Sequence, residues 1–192
     1  PAGREVRLSA LEVLRRFDQR ATARLRAVPA RGVGHTALSL LSHSADSVVL
    51  VPGMALLWWA DRFSRGSFAV PLMVGFLLSV VLTTAVKYTV RRRRPRGEWG
   101  ALYRKVDPHS FPSGHASRTV TLAVVALAGN LVPAGVLLAA WSLAVGFTRV
   151  ALGVHFLLDV LAGYVLGLAT GIAVSLWVAG GMPGLPQFPW AP

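Results

Sequence analysis

The sequence predicts an all-α fold, a polytopic membrane helical bundle of about five transmembrane helices plus an N-terminal amphipathic interfacial helix. Residues 66–86 and 119–148 carry no charged side chain, and each run can cross a bilayer at about 1.5 Å per residue. Only 15% of the chain is charged and the mean hydropathy is +0.54, whereas soluble domains approach about 25% charge. Many of the charges are gathered in short clusters at the ends of the apolar runs.

Basic residues dominate this charge, with 20 Lys and Arg against 8 Asp and Glu and a net charge of +12. Because long uncharged runs separate the basic blocks, the pattern favours membrane flanks and an anion site over a nucleic-acid-binding face. A nucleic-acid hypothesis rests only on Arg91–Arg96, which lacks interleaved aromatic residues. The chain has no cysteine, which excludes disulfides, thiolate catalysis and zinc–thiolate centres.

Residues 4–28 are predicted to form the interfacial helix. Arginines fill much of its polar side, as is typical of a helix lying in the membrane plane, and the alternative is a helix packed on a partner subunit. The scattered arginines also argue against a cleavable signal sequence. Its apolar residues recur at three- and four-residue steps: Leu11, Leu14, Phe17, Ala21, Leu25 and Val28.

The five predicted spans follow this helix. The long run at 119–148 is divided because Gly129-Asn130 and Pro133 interrupt the helical pattern. His43 and Asp46 fall in the first turns of the first span, so we expect Asp46 near the interface or turned toward the protein interior. The spans are Ala37–Ala60, Gly66–Val86, Pro112–Gly129, Val132–Val150 and Val154–Ala179.

The last span carries Gly163, Gly167 and Gly171 four residues apart, which predicts a face for close helix packing. Residues 180–192 are rich in Gly and Pro and are predicted to form an irregular tail. No repeat or linker divides the sequence, so residues 1–192 are expected to form one membrane-embedded domain, with the helical core at 37–179.

The first polar cluster is Lys87-Tyr-Thr-Val-Arg-Arg-Arg-Arg94-Pro95. Lysine offers a point charge and arginine a planar fork that can hold two phosphate oxygens. Pro95 is expected to stop the helix. The alternative is a positive patch that only flanks the membrane.

The second cluster, Pro112-Ser-Gly-His115, stands at a predicted helix start, where free N–H groups and the helix dipole favour an anion. Ser113 can donate a hydrogen bond, Gly114 permits close approach of a phosphate, and His115 is a candidate proton donor. The alternative is that Ser113 only caps the helix and His115 is an interfacial histidine.

The third cluster runs from Thr148 to Asp159 and puts His155 and Asp159 four residues apart, on one helix face. A carboxylate beside an imidazole fixes its tautomer and leaves the far ring nitrogen free to attack, while Arg149 can hold an oxyanion. The alternative is a structural His–Asp pair buried between helices. Ionisable groups at the start of a span are costly unless paired or hydrated, which favours a site.

Counting spans brings the three clusters to one side of the membrane. Together they offer cations, backbone donors, two histidines and a carboxylate, as phosphoryl transfer through a phosphohistidine requires. Two histidines and an aspartate can also ligate a metal, but the surrounding arginines oppose a divalent cation.

At these residues the sequence closely resembles the type 2 phosphatidic acid phosphatase family, membrane lipid phosphate phosphatases related to the vanadium haloperoxidases. The family pattern is K-x6-R-P, then P-S-G-H, then S-R-x5-H-x3-D, and here Thr148 replaces the usual Ser. The order and spacing of the motifs over about seventy residues are specific. The matching residues are Lys87, Arg94 and Pro95; Pro112, Ser113, Gly114 and His115; and Arg149, His155 and Asp159.

The resemblance implies a metal-independent phosphoric monoester hydrolase that needs no cofactor. It implies His155 as nucleophile, Asp159 as the residue that orients it, and His115 as general acid. It leaves Arg91, Arg92 and Arg93 to serve as membrane flank. The residues implied to bind phosphate are Lys87, Arg94, Ser113, Gly114 and Arg149.

The substrate implied is a lipid phosphate, with phosphatidic acid, phosphatidylglycerophosphate and undecaprenyl or other polyprenyl phosphates or diphosphates as candidates. The alternative class is a non-catalytic phospholipid-binding or transport protein. Only Arg62 and Arg65 lie on the far side of the predicted bundle, so the positive-inside rule favours a cytoplasmic-facing site in a bacterial inner membrane. The sequence leaves the oligomeric state open.

Overall fold

A computed structural model describes residues 9–26, 32–61, 68–95 and 107–180. Most of the predicted tail, part of the polar loop after Pro95 and both ends of the predicted N-terminal helix lie outside these residues. The described chain is all-α, as predicted. Its seven helices are α1 (Ala10–Leu25), α2 (Val33–His43), α3 (Ser47–Asp61), α4 (Ala69–Val90), α5 (Gly114–Ala128), α6 (Val132–Ala151) and α7 (Leu157–Ala179).

Three of the described helices, α4, α6 and α7, are long and apolar enough to cross a membrane. The predicted first span is instead the pair α2 and α3, which bends by 50° at a short break and makes a fourth candidate. Helix α5 has 15 residues, roughly 22 Å, which is shorter than the ~20 residues of an ordinary span. The prediction of about five spans is therefore confirmed only as three to four candidates.

Helix α5 lies at the centre of the bundle and packs against α4, α6 and α7. It begins at Gly114 rather than at the predicted Pro112, because Ser113 has extended backbone angles and its side chain accepts from the Ala116 N–H as an N-cap. Most of its side chains are buried. The sequence predicted that this helix exists. Its short length is compatible with a helix that other helices enclose.

The glycines of α7 confirm the predicted close-packing face. A Cβ atom at Gly163 would lie 2.5 Å from the Ser113 carbonyl oxygen, and one at Gly167 would lie 2.3 Å from the Ser117 carbonyl oxygen. Side chains there would force α5 and α7 apart. The contact at Gly163 is the one nearest the motifs, so it sets how closely the start of α5 approaches the start of α7.

The apolar core and the motif residues occupy opposite ends of this bundle. The largest buried apolar cluster joins the first half of α4, the second half of α5 and the end of α7 through Phe76, Leu122 and Val174. The motif residues lie at the end of α4, the start of α5 and the turn before α7. The apolar end therefore holds together the helices whose other ends carry the charged groups.

Helix α1 packs on α6 and α7 of its own chain, so the described contacts do not need the predicted alternative of a partner subunit. Its inward face is polar, with Asp18 and Thr22 buried at 0% and 4% exposure. Two of its apolar side chains, Val13 and Phe17, are more than half exposed. This arrangement suits a helix that presents apolar side chains to lipid, as predicted for the interface.

Candidate active site

The three sequence clusters meet at one end of the bundle. The chain leaves α4 at Val90, and Arg91 takes a left-handed backbone conformation with φ of 51°. Residues 92–95 are then non-helical, and Arg93 pairs with His109 in an antiparallel bridge. The start of α5 and the turn between α6 and α7 lie against this segment through the contacts described below.

His155 lies in the turn before α7 and is 1% exposed. Its Nδ1 atom is 3.5 Å from Oδ2 of Asp159, an ion-pair distance, and makes no hydrogen bond with any residue that the structure describes. Its Nε2 atom lies 3.2 Å from Nη1 of Arg94. Because a guanidinium can only donate, Nε2 is the acceptor and the neutral ring carries its proton on Nδ1, toward Asp159. In this tautomer Nε2 is the unprotonated nitrogen.

Burial and three surrounding cations set the protonation state of His155. Burial lowers the pKa of His155, and the charges of Arg94, Arg149 and Lys87 lower it further, to well below the usual 6.5. The Asp107 carboxylate opposes this only in part. The imidazole is therefore held in its neutral form at neutral pH.

Asp159 is fully buried on the first turn of α7, where its Oδ2 accepts from the Phe156 N–H at 2.9 Å. Its Oδ1 accepts from Nη1 of Arg92 at 2.8 Å. The other Arg92 nitrogen, Nη2, donates to Asp18 on α1. Both oxygens of the carboxylate are thus fixed, and α1 is linked to the catalytic end of α7.

Arg92 corrects the prediction that Arg91, Arg92 and Arg93 serve only as membrane flank. Arg91 and Arg93 are exposed, whereas Arg92 and Arg94 turn inward. The reason is that the chain is non-helical after Arg91, so side chains two positions apart share a face. The sequence could have predicted this alternation only if the end of α4 had been placed at Val90 rather than after it.

Lys87 and Arg94 converge on one anion, the carboxylate of Asp107. Lys87 forms an ion pair with its Oδ2 atom, and Nη2 of Arg94 donates to the same oxygen at 2.8 Å. Burial raises the pKa of Asp107, but Lys87 and Arg94 outweigh that effect and hold it below its usual value. The sequence offered no signal that Asp107 would take this position.

Ser113 and Gly114 lie at the start of α5, and Gly114 borders the same cavity as Lys87. The Ser113 hydroxyl accepts from the Ala116 N–H at 3.5 Å, which makes it an N-cap, and its own N–H donates to the Asp159 carbonyl at 2.8 Å. A small cavity of about 200 Å³ is bordered by Gly114, Lys87, Asp107, Arg118 and Thr83. The buried Thr83 hydroxyl has no hydrogen-bond partner among the residues that the structure describes, so it is available to a ligand there.

His115 does not point to open solvent. Its Nε2 atom contacts Oδ1 of Asp46, and Oδ2 of Asp46 lies 2.7 Å from Nδ1 of His43. Asp46 is in the break between α2 and α3, so the bend turns it inward, one of the two positions expected from the sequence. The sequence did not predict a role for either Asp46 or His43.

Arg149 is in the last turn of α6 and has 0% exposure. Its Nη1 atom donates to the Ser42 hydroxyl on α2 at 2.8 Å, and its charge acts on both His115 and His155. The structure thus brings together every residue that the sequence singled out. Among the described residues, no three His, Cys, Asp or Glu side chains are grouped so that they could hold a metal ion.

Comparison with known proteins relates this site to one family. The sequence profile of the PAP2 superfamily matches residues 68–182, which contain all the predicted motif residues. An undecaprenyl-diphosphatase from Sulfolobus acidocaldarius is 32% identical over 130 residues, or 66% of this chain and 62% of that protein. A probable lipid phosphate phosphatase beta from Arabidopsis thaliana is 30% identical over 135 residues, or 55% and 63%. The chain spans a little under two thirds of the length of both relatives.

A solved structure shares the fold. The chain is similar to a PAP2-type phosphatidylglycerolphosphate phosphatase from Bacillus subtilis, with a TM-score of 0.75 over 90% of each chain at 21% identity. The likeness extends beyond residues 68–182 and therefore includes part of the N-terminal helices.

Proposed function

Because the chain belongs to the PAP2 superfamily, we propose that it is an integral membrane phosphatase that hydrolyses a lipid phosphate or diphosphate through a phosphohistidine at His155. One observation carries the proposal. Nε2 of His155 is the unprotonated nitrogen, and it faces Arg94, which shares an anion with Lys87. The proposed nucleophile therefore lies next to a pair of cations that already binds an anion.

In the first half of the reaction, Nε2 of His155 attacks phosphorus. The N–P bond forms as the bond from phosphorus to the leaving oxygen breaks, and His115 gives that oxygen a proton. Asp159 stabilises the charge that develops on the His155 ring. In the second half, water attacks phosphorus, His115 takes the proton from that water, and inorganic phosphate leaves with His155 restored.

The phosphate-binding role is proposed for Lys87, Arg94, Ser113, Gly114 and Arg149. Lys87 and Arg94 supply charge-assisted hydrogen bonds to the equatorial oxygens, where negative charge accumulates in the transition state. Since the Asp107 carboxylate contacts both cations, substrate has to displace it. Gly114 and the unpartnered Thr83 hydroxyl border the space that a phosphate would enter.

A lipid substrate is supported by the position of this space. The cavity is also bordered by Val80, Thr84 and Tyr88 on α4, and the last two are exposed on the outside of the bundle. A headgroup can therefore reach the cations while its chains remain beside α4. The related proteins are named for undecaprenyl diphosphate, lipid phosphate and phosphatidylglycerolphosphate, and we extend to this chain only what these share, a phosphorylated lipid.

The experiment is phosphate release by the purified protein from a panel of lipid mono- and diphosphates, in detergent with a chelator present. We expect release from at least one of them, and an acid-labile phosphoprotein after rapid quenching. Tight binding of every lipid without release from any would instead support the alternative, a non-catalytic lipid-binding or transport protein.

We also propose that the site faces the cytoplasm from a bacterial inner membrane, because most basic residues lie on its side. The chain has no cysteine, so Arg91→Cys introduces a single exposed thiol beside the site. An impermeant maleimide should label it only after the cells are opened. Labelling in intact cells would contradict this orientation.

A further inference from the structure

Asp46 contacts the proposed general acid from a part of the chain outside the PAP2 profile, which begins at residue 68. One of its carboxylate oxygens meets Nε2 of His115 and the other meets Nδ1 of His43. The His43 side chain is 39% exposed, that of Asp46 is 21% exposed and that of His115 is 9% exposed. The three groups therefore form a line from the surface to the buried acid.

The position of Asp46 is fixed by side chains of the catalytic bundle on both sides of it. Arg149 donates to Ser42, and Nε1 of Trp141 donates to Ser44 at 2.9 Å. Beyond Asp46, Arg118 donates to Ser47 at 2.7 Å. Ala45 is fully buried. The bend between α2 and α3 is thus seated on α5 and α6, and the carboxylate cannot leave His115 without breaking several contacts.

The charges around His115 explain why this carboxylate matters. Burial favours the neutral imidazole, and so do the nearby cations Arg149 on α6 and Arg118 on α5. Asp46 is the anion that faces the ring, and His43 is the titratable group behind it. A general acid must carry a proton before the leaving oxygen needs one. Asp46 opposes these effects, so its contact with the ring stabilises the proton-bearing form of His115.

We propose that Asp46 is a positioning residue that aligns His115 and stabilises its protonated form as it donates to the leaving oxygen. The proposal rests on the phosphatase function above. As the N–P bond forms at His155 and the bond from phosphorus to the lipid oxygen breaks, one His115 N–H stays bonded to Asp46. The proton on the other ring nitrogen goes to the departing oxygen.

Leaving-group dependence tests this proposal. In Asp46→Asn, kcat/KM for a lipid phosphate with an alkyl leaving group should fall about 100-fold, the scale of general acid catalysis, because kcat/KM reports the step in which that leaving group departs. The fall should be less than about threefold for a long-chain nitrophenyl phosphate, whose leaving group departs without a proton. An equal loss on both substrates would mean a merely structural role and overturn the proposal.

The pH profile gives a second readout on the alkyl substrate alone. Loss of the carboxylate makes the proton on His115 easier to remove, so the alkaline limb of kcat/KM should move to lower pH in Asp46→Asn. An unmoved limb would overturn the proposal, and Asp46→Glu should restore part of the shift. If the wild-type protein released phosphate from neither substrate, the proposed function itself would fail, which is a distinguishable result.

Asp61→Asn is the matched control. Asp61 lies at the end of α3 and accepts from the Ala69 N–H at 2.8 Å, so the variant also removes a carboxylate from the α2–α3 pair but none from the site. Its leaving-group dependence and alkaline limb should match the wild type. A shift in this control equal to that of Asp46→Asn would assign the effect to helix packing.

Discussion

Residues 68–180 and residues 9–61 place different groups against the same site. The first region carries His155, His115 and the cations proposed to bind phosphate, all on α4–α7 and their connections. The second carries the partners of two of these groups and of Arg92. Ser42 accepts from Arg149, Asp46 contacts His115, and Asp18 contacts the Arg92 that binds Asp159.

The difference teaches that the proposed reacting groups lie in one part of the chain, whereas several of the groups that hold them come from another. Thr22 and Asp18 add to this by accepting from the Leu157 and Leu158 N–H groups, which have no partner within α7. The N-terminal helices thus complete the start of the helix that carries Asp159. Variants in the two regions should therefore differ in the size of their effects, as follows.

The largest effect is expected in the first region, from His155→Ala. Without the nucleophile, no phosphoenzyme can form, so kcat should fall by at least about 10³-fold and the acid-labile phosphoprotein should disappear. His35→Ala on α2 is the control, because it also removes an imidazole, and it should keep activity. If His155→Ala kept the wild-type kcat, His155 would not be the nucleophile.

Arg94→Gln should lower kcat/KM by about 10²- to 10³-fold and also change its pH dependence. Because burial and cations lower the pKa of His155, the reactive neutral form persists in acid, and the wild-type acid limb should lie below 6.5. Removing one cation raises that pKa, so the limb should move to higher pH. Substrate ionisation is the same in both proteins, so it does not contribute to the difference. A limb that stays in place would contradict the proposed electrostatics.

Arg92→Gln and Asp18→Asn test the second region. Each breaks the chain of contacts that orients Asp159, so each should lower kcat by about 10- to 100-fold with little change in KM, as for groups that hold a reacting ligand. Because they act through one contact, the double variant should be little worse than either single one. Arg93→Gln, an exposed neighbour, is the control. If the two losses of kcat were simply additive, Asp18 would not act on Asp159 through Arg92.

Asp107→Asn should have a smaller effect, and it should strengthen the binding of phosphate rather than weaken it. Removing the resident negative charge leaves Lys87 and Arg94 available to a phosphate, so inorganic phosphate should inhibit at about three- to tenfold lower concentration. Product inhibition curves measure this directly. A weaker inhibition by phosphate would mean that Asp107 helps bind the anion rather than competes with it.

Gly167→Ala tests packing between α5 and α7 and does not alter a site residue. Its Cβ would lie 2.3 Å from the Ser117 carbonyl oxygen, so the free energy of unfolding should fall by about 1–3 kcal/mol. Gly53→Ala in α3 meets no atom within 4 Å and should be neutral or slightly stabilising. Thermal melting in detergent compares the two. Equal melting temperatures would show that α7 can move away from α5 at no cost.

The motif residues could be predicted because their spacing is local. His155 and Asp159 are four residues apart, and Lys87 and Arg94 lie at one helix end, so the sequence alone placed each pair. Their partners could not be predicted. Asp46 lies 69 residues from His115 and Asp18 lies 74 residues from Arg92, and such contacts depend on how whole helices pack.

The span count shows the same limit. Hydropathy detected the apolar runs, but it did not show that the first would break at Asp46 or that α5 would end after 15 residues. Both outcomes follow from burial of polar groups inside the bundle. A hydropathy window assumes that lipid surrounds the helix, and for α5 neighbouring helices replace much of that lipid.

The Asp107 carboxylate has one further consequence, for selection among membrane lipids. It holds Lys87 and Arg94 with a single negative charge. The bulk phospholipids that surround the protein are phosphodiesters, which also carry one charge on phosphorus, so exchanging Asp107 for such a headgroup gains no Coulomb energy. A terminal phosphate brings a second charge and a third free oxygen. In the proposed phosphatase, the resident carboxylate is therefore expected to favour terminal phosphates over the abundant diesters.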